Sequence, residues 1–328
     1  MKLLIYKPYQ NMSKKYSLPC FDDFLLNLKV NNYSNETIYS YERDLVVFQD
    51  FLMDAELDFS KISKKDILNY KAYLVSVDRL TTDKNSSDVQ LSPYSTNRML
   101  SALRSYLKYL IDMDHPTPIP PDAIKMSKVT KNKVQVPDLN EVIKIIEAPS
   151  EFEKNKKVSL RNRAILEVLF ATGLRISELV NLRTDRIDKN GRIYVLGKGK
   201  KERFAYLTPR AIKYLKDYLK IRRSDSPFVF IPFQGKNVND KKNKKISTRY
   251  IQERLKKYKE LLNINVPVSP HIIRHAFATY MAEDGANPAA IQILLGHESL
   301  DTTTRYVHAS DRYAEKTHHD FHPLKDIE

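Results

Sequence analysis

The sequence predicts a two-domain, mainly α-helical protein with a small β-hairpin in its second domain. The chain has 328 residues, enough for about two domains of roughly 150 residues, each able to bury its own core. Only 7 glycines occur in it, too few for a glycine-hinged β-sandwich or a dinucleotide-binding fold, while apolar residues recur at helical steps of three and four. A proline- and lysine-rich stretch without helical period interrupts that pattern.

In order along the chain, Ile38, Tyr41, Leu45, Phe48 and Leu52 mark one amphipathic helix, and Met99, Leu103, Tyr106 and Leu110 mark another. Shorter helices around Phe21 to Leu28 and Asp66 to Val75 complete a small bundle, and the polar, aperiodic stretch Thr81 to Ser92 reads as a surface loop. His115 to Val136 brings Pro116, Pro118, Pro120 and Pro121, then Lys125, Lys128, Lys131 and Lys133, as a basic linker would. The expected organisation is an N-terminal extension over 1–15, a helical domain over 16–114, a linker over 115–137 and a second domain over 138–328.

The second domain opens on a capping-box pattern, Asp138 with Glu141, before Val142, Ile145 and Ile146. Thr208-Pro209, Ser269-Pro270 and Asn287-Pro288 each put a capping side chain before a proline at the first helical position, and Gly296 is placed to end the helix of Ile291 to Leu295. Ile193 to Leu196 and Phe204 to Leu207 flank the turn Gly197-Lys198-Gly199-Lys200-Lys201 as a β-hairpin. Lys236 to Lys245 reads as a lysine-rich loop.

The 55 Lys and Arg against 40 Asp and Glu leave a net charge of +15, the balance of a protein that meets a polyanion, nucleic acid first. No apolar run approaches the roughly 20 residues of a membrane span, so no membrane partner is expected. The N-terminus lacks the apolar core and cleavage site of a secretory signal. Cys20 is the sole cysteine, which excludes an intramolecular disulfide framework and fits a reducing cytoplasm.

His271 and His275 stand at i and i+4, a spacing suited to metal, but Ile272 follows the first histidine where a metalloprotease has its glutamate. Arg274 between them suits an anionic oxygen better than a cation, and no metal is expected. A metal-free phosphoryl site needs fixed cations for the non-bridging oxygens, an acid for the leaving oxygen and a nucleophile. Arg175, Lys198, His271, Arg274, His297 and Tyr306 supply candidates for all three. Arg175 also reads as half of an i, i+3 surface pair with Glu178, although the apolar surroundings from Leu166 to Leu182 argue against a purely solvated arginine. Lys200 is the next candidate after Lys198 in the same turn.

In order, these segments resemble the tyrosine recombinase (phage integrase) family, with spacing most like the Xer site-specific recombinases. The resemblance rests on Ala171-Thr172-Gly173-Leu174-Arg175, Gly197-Lys198-Gly199 with Lys201-Glu202-Arg203, Ser269 to Thr279, Leu294-Leu295-Gly296-His297 and Thr302-Thr303-Thr304-Arg305-Tyr306. Asn35 to Tyr41 and Ser95 to Arg104 match more loosely. The resemblance implies a SAM-like helical core-binding domain and a catalytic domain forming a C-shaped clamp on DNA. It implies Tyr306 as nucleophile, Arg175 and Arg274 on the scissile phosphate, Lys198 as the acid for the 5′-oxygen, and His271 and His297 in proton transfer and hydrogen bonding. A tyrosine with an ordinary pKa near 10 needs such a base and cationic field to attack at neutral pH.

DNA contacts are expected from Arg43, Thr96, Asn97, Arg98, Arg104, Lys108, Lys200 and Arg203. The implied partners are double-stranded DNA with two inverted half-sites, a tetramer of this chain or of this chain with a paralogue on two sites, and an activating partner such as a DNA translocase. Neither cofactor, metal nor ATP is implied, because the phosphotyrosine link preserves the energy of the broken phosphodiester. A segment over about 312–328, with His318, His322 and Pro323, is expected to dock on the neighbouring subunit. The implied role is resolution of chromosome or plasmid dimers. The alternatives are integration of a mobile element, for which the stretch before Tyr16 leaves no room for an arm-binding module, and DNA binding without catalysis.

Overall fold

The computed structural model describes residues 18–76, 90–129, 135–196, 202–234, 238 and 244–296. The chain divides into two compact units, Met1–Asn132 and Lys133–Glu328. No helix among the described residues is long and apolar enough to cross a membrane.

The first unit is built from α1 (Phe21–Val30), α2 (Asn35–Asp54), α3 (Lys64–Val75) and α4 (Pro93–Asp112). Local chemistry fixes where these helices begin. Ser34 caps α2 by accepting from Thr37 N–H, Ser63 and Asp66 form a reciprocal capping box on α3, and Ser92 caps α4 ahead of Pro93. Ser92 thus begins a helix rather than ending a loop, and Thr81 to Val89 lie outside the described residues. Phe24, Phe48, Tyr70 and Tyr106 are almost wholly buried with Leu45, Leu52, Leu100 and Leu103, and each such side chain contributes about 2 kcal/mol of hydrophobic stabilisation.

The basic segment expected as a linker packs on this unit as far as Ser127. Ile119 and Ile124 are buried in its core, Lys71 Nζ donates to the Lys125 carbonyl, and Asn97 exchanges two hydrogen bonds with the Ser127 backbone. Prolines break the helical period here, yet Ile119 and Ile124 still find the core.

The second unit contains α5 (Leu139–Phe152), α6 (Lys156–Thr172), α7 (Ile176–Val180), β1 (Arg192–Leu196), β2 (Glu202–Tyr206), α8 (Pro209–Arg222), α9 (Thr248–Leu261), α10 (Pro270–Glu283) and α11 (Pro288–Leu295). The central α6 packs against α5, α8 and α10 and buries Ala164, Ile165, Leu166, Val168 and Leu169. Asp138 with Glu141, Thr208, Ser269 and Asn287 cap α5, α8, α10 and α11 as their sequences predict, and Gly296 ends α11 in a left-handed conformation. The strands pair antiparallel with Arg192 opposite Tyr206 and Leu196 opposite Glu202. This register turns Ile193, Val195, Arg203 and Ala205 inward. Residues 197–201, read from the sequence as the turn between the strands, lie outside the described residues.

One buried carboxylate in the first unit gives a pH signature. Asp44 is 3% exposed, and burial pushes its carboxyl from 3.8 up to about 6 despite the Arg98 guanidinium 2.6 Å away. The folded chain therefore holds this proton more tightly than the unfolded chain, and stability is lost as pH rises through that window. The stability of Asp44→Asn relative to the unmodified protein should rise by on the order of 2 kcal/mol between pH 4 and pH 7. Denaturant melts at both pH values check this; a difference that does not change with pH would exclude Asp44 as the titrating group.

Candidate active site

The C-terminal end of α11 gathers three arginines of the second unit. Arg203 Nε donates to the Leu294 carbonyl at 2.9 Å, and Arg274 Nη2 donates to the Leu295 carbonyl at 2.7 Å. Arg175 donates from Nη1 to the same Leu295 oxygen at 3.4 Å and from Nη2 to the Gly296 oxygen at 3.0 Å. The last carbonyls of a helix have no partner within it and carry the negative end of its dipole, so three guanidinium groups satisfy them and are held by them.

One carboxylate completes the arrangement. Glu178, at the third position of α7, reaches back to the Arg175 N–H at 2.8 Å and accepts from Arg175 Nη1 at 3.1 Å. Arg203 grips both of its oxygens, at 2.9 and 2.7 Å. Burial pushes the Glu178 carboxyl up, but the Arg203 hydrogen bonds and charge, with Arg175, outweigh it and hold the group below its usual value. The surface pair that the sequence suggested is a nearly buried bridge: the Glu178 side chain is 9% exposed and Arg203 6%, while Arg175 is 39% exposed and open toward solvent.

Two glycines permit this closeness. A Cβ on Gly173, whose φ is +59°, would lie 2.6 Å from Phe277 Cδ1 and 2.9 Å from Leu295 Cδ2. With no side chain there, the Gly173 carbonyl at the end of α6 accepts from Arg274 Nη1 at 2.6 Å, and the ends of α6 and α11 share one arginine. A Cβ on Gly296 would meet Arg203 Cδ at 3.0 Å.

His271 sits in the first turn of α10, one turn before His275, with their Nε2 atoms 3.0 Å apart and their rings nearly perpendicular. Only one proton fits between two imidazole nitrogens at that distance, so at least one ring is neutral there. Burial, and then the Arg274 charge, lower the His271 pKa below its ordinary 6.5, which leaves it able to accept a proton at neutral pH. Among the described residues no third ligating side chain joins the pair to make a metal site.

The structure thus brings Arg175, Arg274 and Arg203 together on one helix end, with His271 on the helix that carries Arg274. Lys198, Lys200, His297 and Tyr306 lie outside the described residues. Arg203, expected to touch DNA, is buried with its guanidinium committed to protein acceptors. In the first unit, Arg43 is exposed over the Tyr39 ring, Lys108 is exposed, Arg98 pairs with buried Asp44, and Arg104 pairs with Asp122 at 2.6 Å. Thr96, also expected at DNA, is 1% exposed, and Asn97 spends its amide on Ser127. The sequence marks the Arg175–Glu178 and His271–His275 spacings, but the buried bridge and the histidine pair they form come from the structure, because such spacings are common on solvated helix faces.

Glu178→Gln should destabilise the second unit by about 2 kcal/mol at pH 7, since it leaves Arg203 buried against a neutral amide. A carboxyl held below 4.5 stabilises the fold above that value and loses its contribution as pH falls through its folded pKa. The melting temperatures of the two proteins should therefore converge in acid. A gap that stays constant from pH 7 to pH 3 would show that the Glu178 charge does not matter.

Comparison with known proteins gives the family of the chain. The phage integrase family matches residues 135–312, and the phage integrase N-terminal SAM-like domain matches residues 21–113. A protein named tyrosine recombinase XerC from Leptospira interrogans is 34% identical over 305 residues, which cover 92% of each chain. A tyrosine recombinase XerD from Staphylococcus epidermidis is 31% identical over 297 residues, covering 88% of this chain and 93% of that protein. The crystal structure of the XerH site-specific recombinase bound to its palindromic difH substrate superposes with a TM-score of 0.69 at 20% identity, covering 89% of this chain and 81% of XerH. A lambda integrase tetramer bound to a Holliday junction gives 0.66 at 16% identity, over 89% and 76% of the two chains. These two likenesses concern the fold, which among the described residues is mostly helical with a small two-stranded antiparallel sheet. The matching family models and the identity shared along most of the chain show that this protein belongs to the phage integrase family of tyrosine recombinases, enzymes that break and rejoin DNA.

Proposed function

We propose that the protein cuts and rejoins double-stranded DNA at a specific site through a 3′-phosphotyrosine intermediate, in the manner of the Xer recombinases it is similar to. The observation that carries this reading is the convergence of Arg175 and Arg274 on one oxygen, the Leu295 carbonyl. Two guanidinium forks that reach a single oxygen are placed to hold the non-bridging oxygens of one phosphate.

In this reading the Tyr306 oxygen attacks phosphorus, forming the P–O(Tyr) bond as the P–O5′ bond breaks. The tyrosine proton passes to a neutral imidazole, for which His271 is suited by its lowered pKa. Lys198 protonates the departing 5′-oxygen. His297, which follows Gly296 in sequence, donates to a non-bridging oxygen beside the two arginines. The phosphotyrosine keeps the energy of the broken bond, so a second 5′-hydroxyl reverses the step without ATP.

The exposed Arg43 and Lys108, and the half-exposed Arg98 and Arg104, are proposed to contact the DNA backbone. Lys200, between β1 and β2 in sequence, is proposed to join them. We infer a synapse of four recombinase subunits on two DNA sites, each of two inverted half-sites, a reading supported by the lambda integrase tetramer on a Holliday junction. Resolution of chromosome or plasmid dimers in the cytoplasm, with activation by a partner such as a DNA translocase, is the proposed setting. Names of relatives such as XerC and XerD support it.

Tyr306→Phe removes one hydroxyl and no charge, so it should abolish covalent attachment to DNA while half-site affinity stays within about 2-fold. A nicked suicide duplex traps the attached protein as a detergent-resistant adduct. An adduct formed by the phenylalanine variant would assign the nucleophile to another residue, and equal loss of binding would make Tyr306 a DNA contact.

A further inference from the structure

Arg203 joins three pieces of the second unit: β2, the start of α7 and the end of α11. It lies on β2, which follows Lys198 in sequence. Its Nη1 and Nη2 hold both oxygens of Glu178, whose carboxylate also binds the backbone and side chain of Arg175. Its Nε holds the Leu294 carbonyl, three residues before His297. Gly296 lets the side chain lie along the helix end, since a Cβ there would stand 3.0 Å from Arg203 Cδ and 3.2 Å from Nε and Nη1.

We propose that Arg203 is a positioning residue of the recombinase reaction, setting Arg175 relative to the end of α11 through its grip on Glu178 and Leu294, and that it does not read DNA. This inference rests on the recombinase reading above. Two features argue for it. The side chain is 6% exposed and its charge is already paired by the Glu178 carboxylate, so it is not a cation held in reserve for an anion. Among the described residues Glu178 is the carboxylate that pairs with Arg175, and Arg203 takes both of its oxygens. Without Arg203 that carboxylate closes on Arg175 and quenches the charge meant for the phosphate. Arginine is required because three N–H groups must point at fixed angles toward two carboxylate oxygens and one carbonyl. A lysine ammonium carries the charge but not the fork.

The test compares Arg203→Lys, Glu178→Gln and the double variant with the unmodified protein, each assayed below its melting temperature. Three readouts are taken: half-site affinity by gel shift, the rate of adduct formation on a nicked duplex at saturating protein, and the thermal melt. Arg203→Lys should slow adduct formation about 10-fold or more while half-site affinity stays within about 3-fold. In the double variant the losses should not multiply, because with no carboxylate to close on Arg175 the lysine has less to disturb.

Affinity falling as far as the rate would make Arg203 a DNA contact, and losses that multiply would make its action independent of Glu178; either overturns the inference. If Arg203→Lys does not fold, Arg203→Gln carries the same comparison. Unfolding of both would place Arg203 in the fold alone and overturn the inference as well. Failure of the recombinase reading is distinguishable: there the unmodified protein forms no adduct, whereas a Tyr306-dependent adduct made at an unchanged rate by Arg203→Lys sinks only the role of Arg203.

Discussion

Three guanidinium groups crowd together in this protein because a helix ends there. Leu294, Leu295 and Gly296 present carbonyls with no partner inside α11, and Arg203, Arg274 and Arg175 supply the missing donors. Backbone acceptors that would be costly to bury unpaired meet cations that would repel each other without them. Glu178 adds the one full negative charge in this set, and its position between Arg175 and Arg203 keeps the two arginines at fixed separation. The helix end, rather than any single side chain, organises the site.

This explains how elements far apart in sequence share one geometry. α6 ends at Gly173, α7 begins beside Arg175, β2 carries Arg203 and α10 carries Arg274, and each is tied to α11 or to its neighbour through the same few atoms. Rigid elements with fully satisfied donors hold charges more precisely than loops do. Arg274 is 4% exposed and serves both as a structural strut and as the proposed phosphate ligand, whereas Arg175 is open enough to meet a substrate. A site built in this way is organised without a ligand, so the proposed charge stabilisation of a phosphate requires little rearrangement.

Much of this was legible in the sequence, for local reasons. Helix starts at Asp138, Thr208, Ser269 and Asn287 follow from short-range capping chemistry, and amphipathic spacing located α2 and α4. Arg175 and Arg274 stood out through the motifs around them. What the sequence concealed depends on tertiary contact. Arg203 read as a basic residue beside a lysine-rich turn, but β2 begins at Glu202, ahead of the expected Phe204, and that register points Arg203 inward. Thr96 and Asn97 read as polar residues of a DNA-binding helix, yet one is buried and the other fastens the segment at Ser127. The Pro-rich stretch hid Ile119 and Ile124 because two apolar residues without a period carry no pattern to read.

The central claim is that Arg175 acts by charge on a phosphate oxygen. Replacing one non-bridging oxygen of the scissile phosphate by a methyl group removes that charge from the DNA instead of from the protein. Adduct formation by Arg175→Ala on such a methylphosphonate duplex, set against the normal phosphate, tests the claim most directly. The account predicts that the alanine variant, at least about 100-fold slower than the unmodified protein on phosphate, recovers most of that loss on methylphosphonate. Equal impairment on both substrates would contradict it and leave Arg175 as a support for the helix end only.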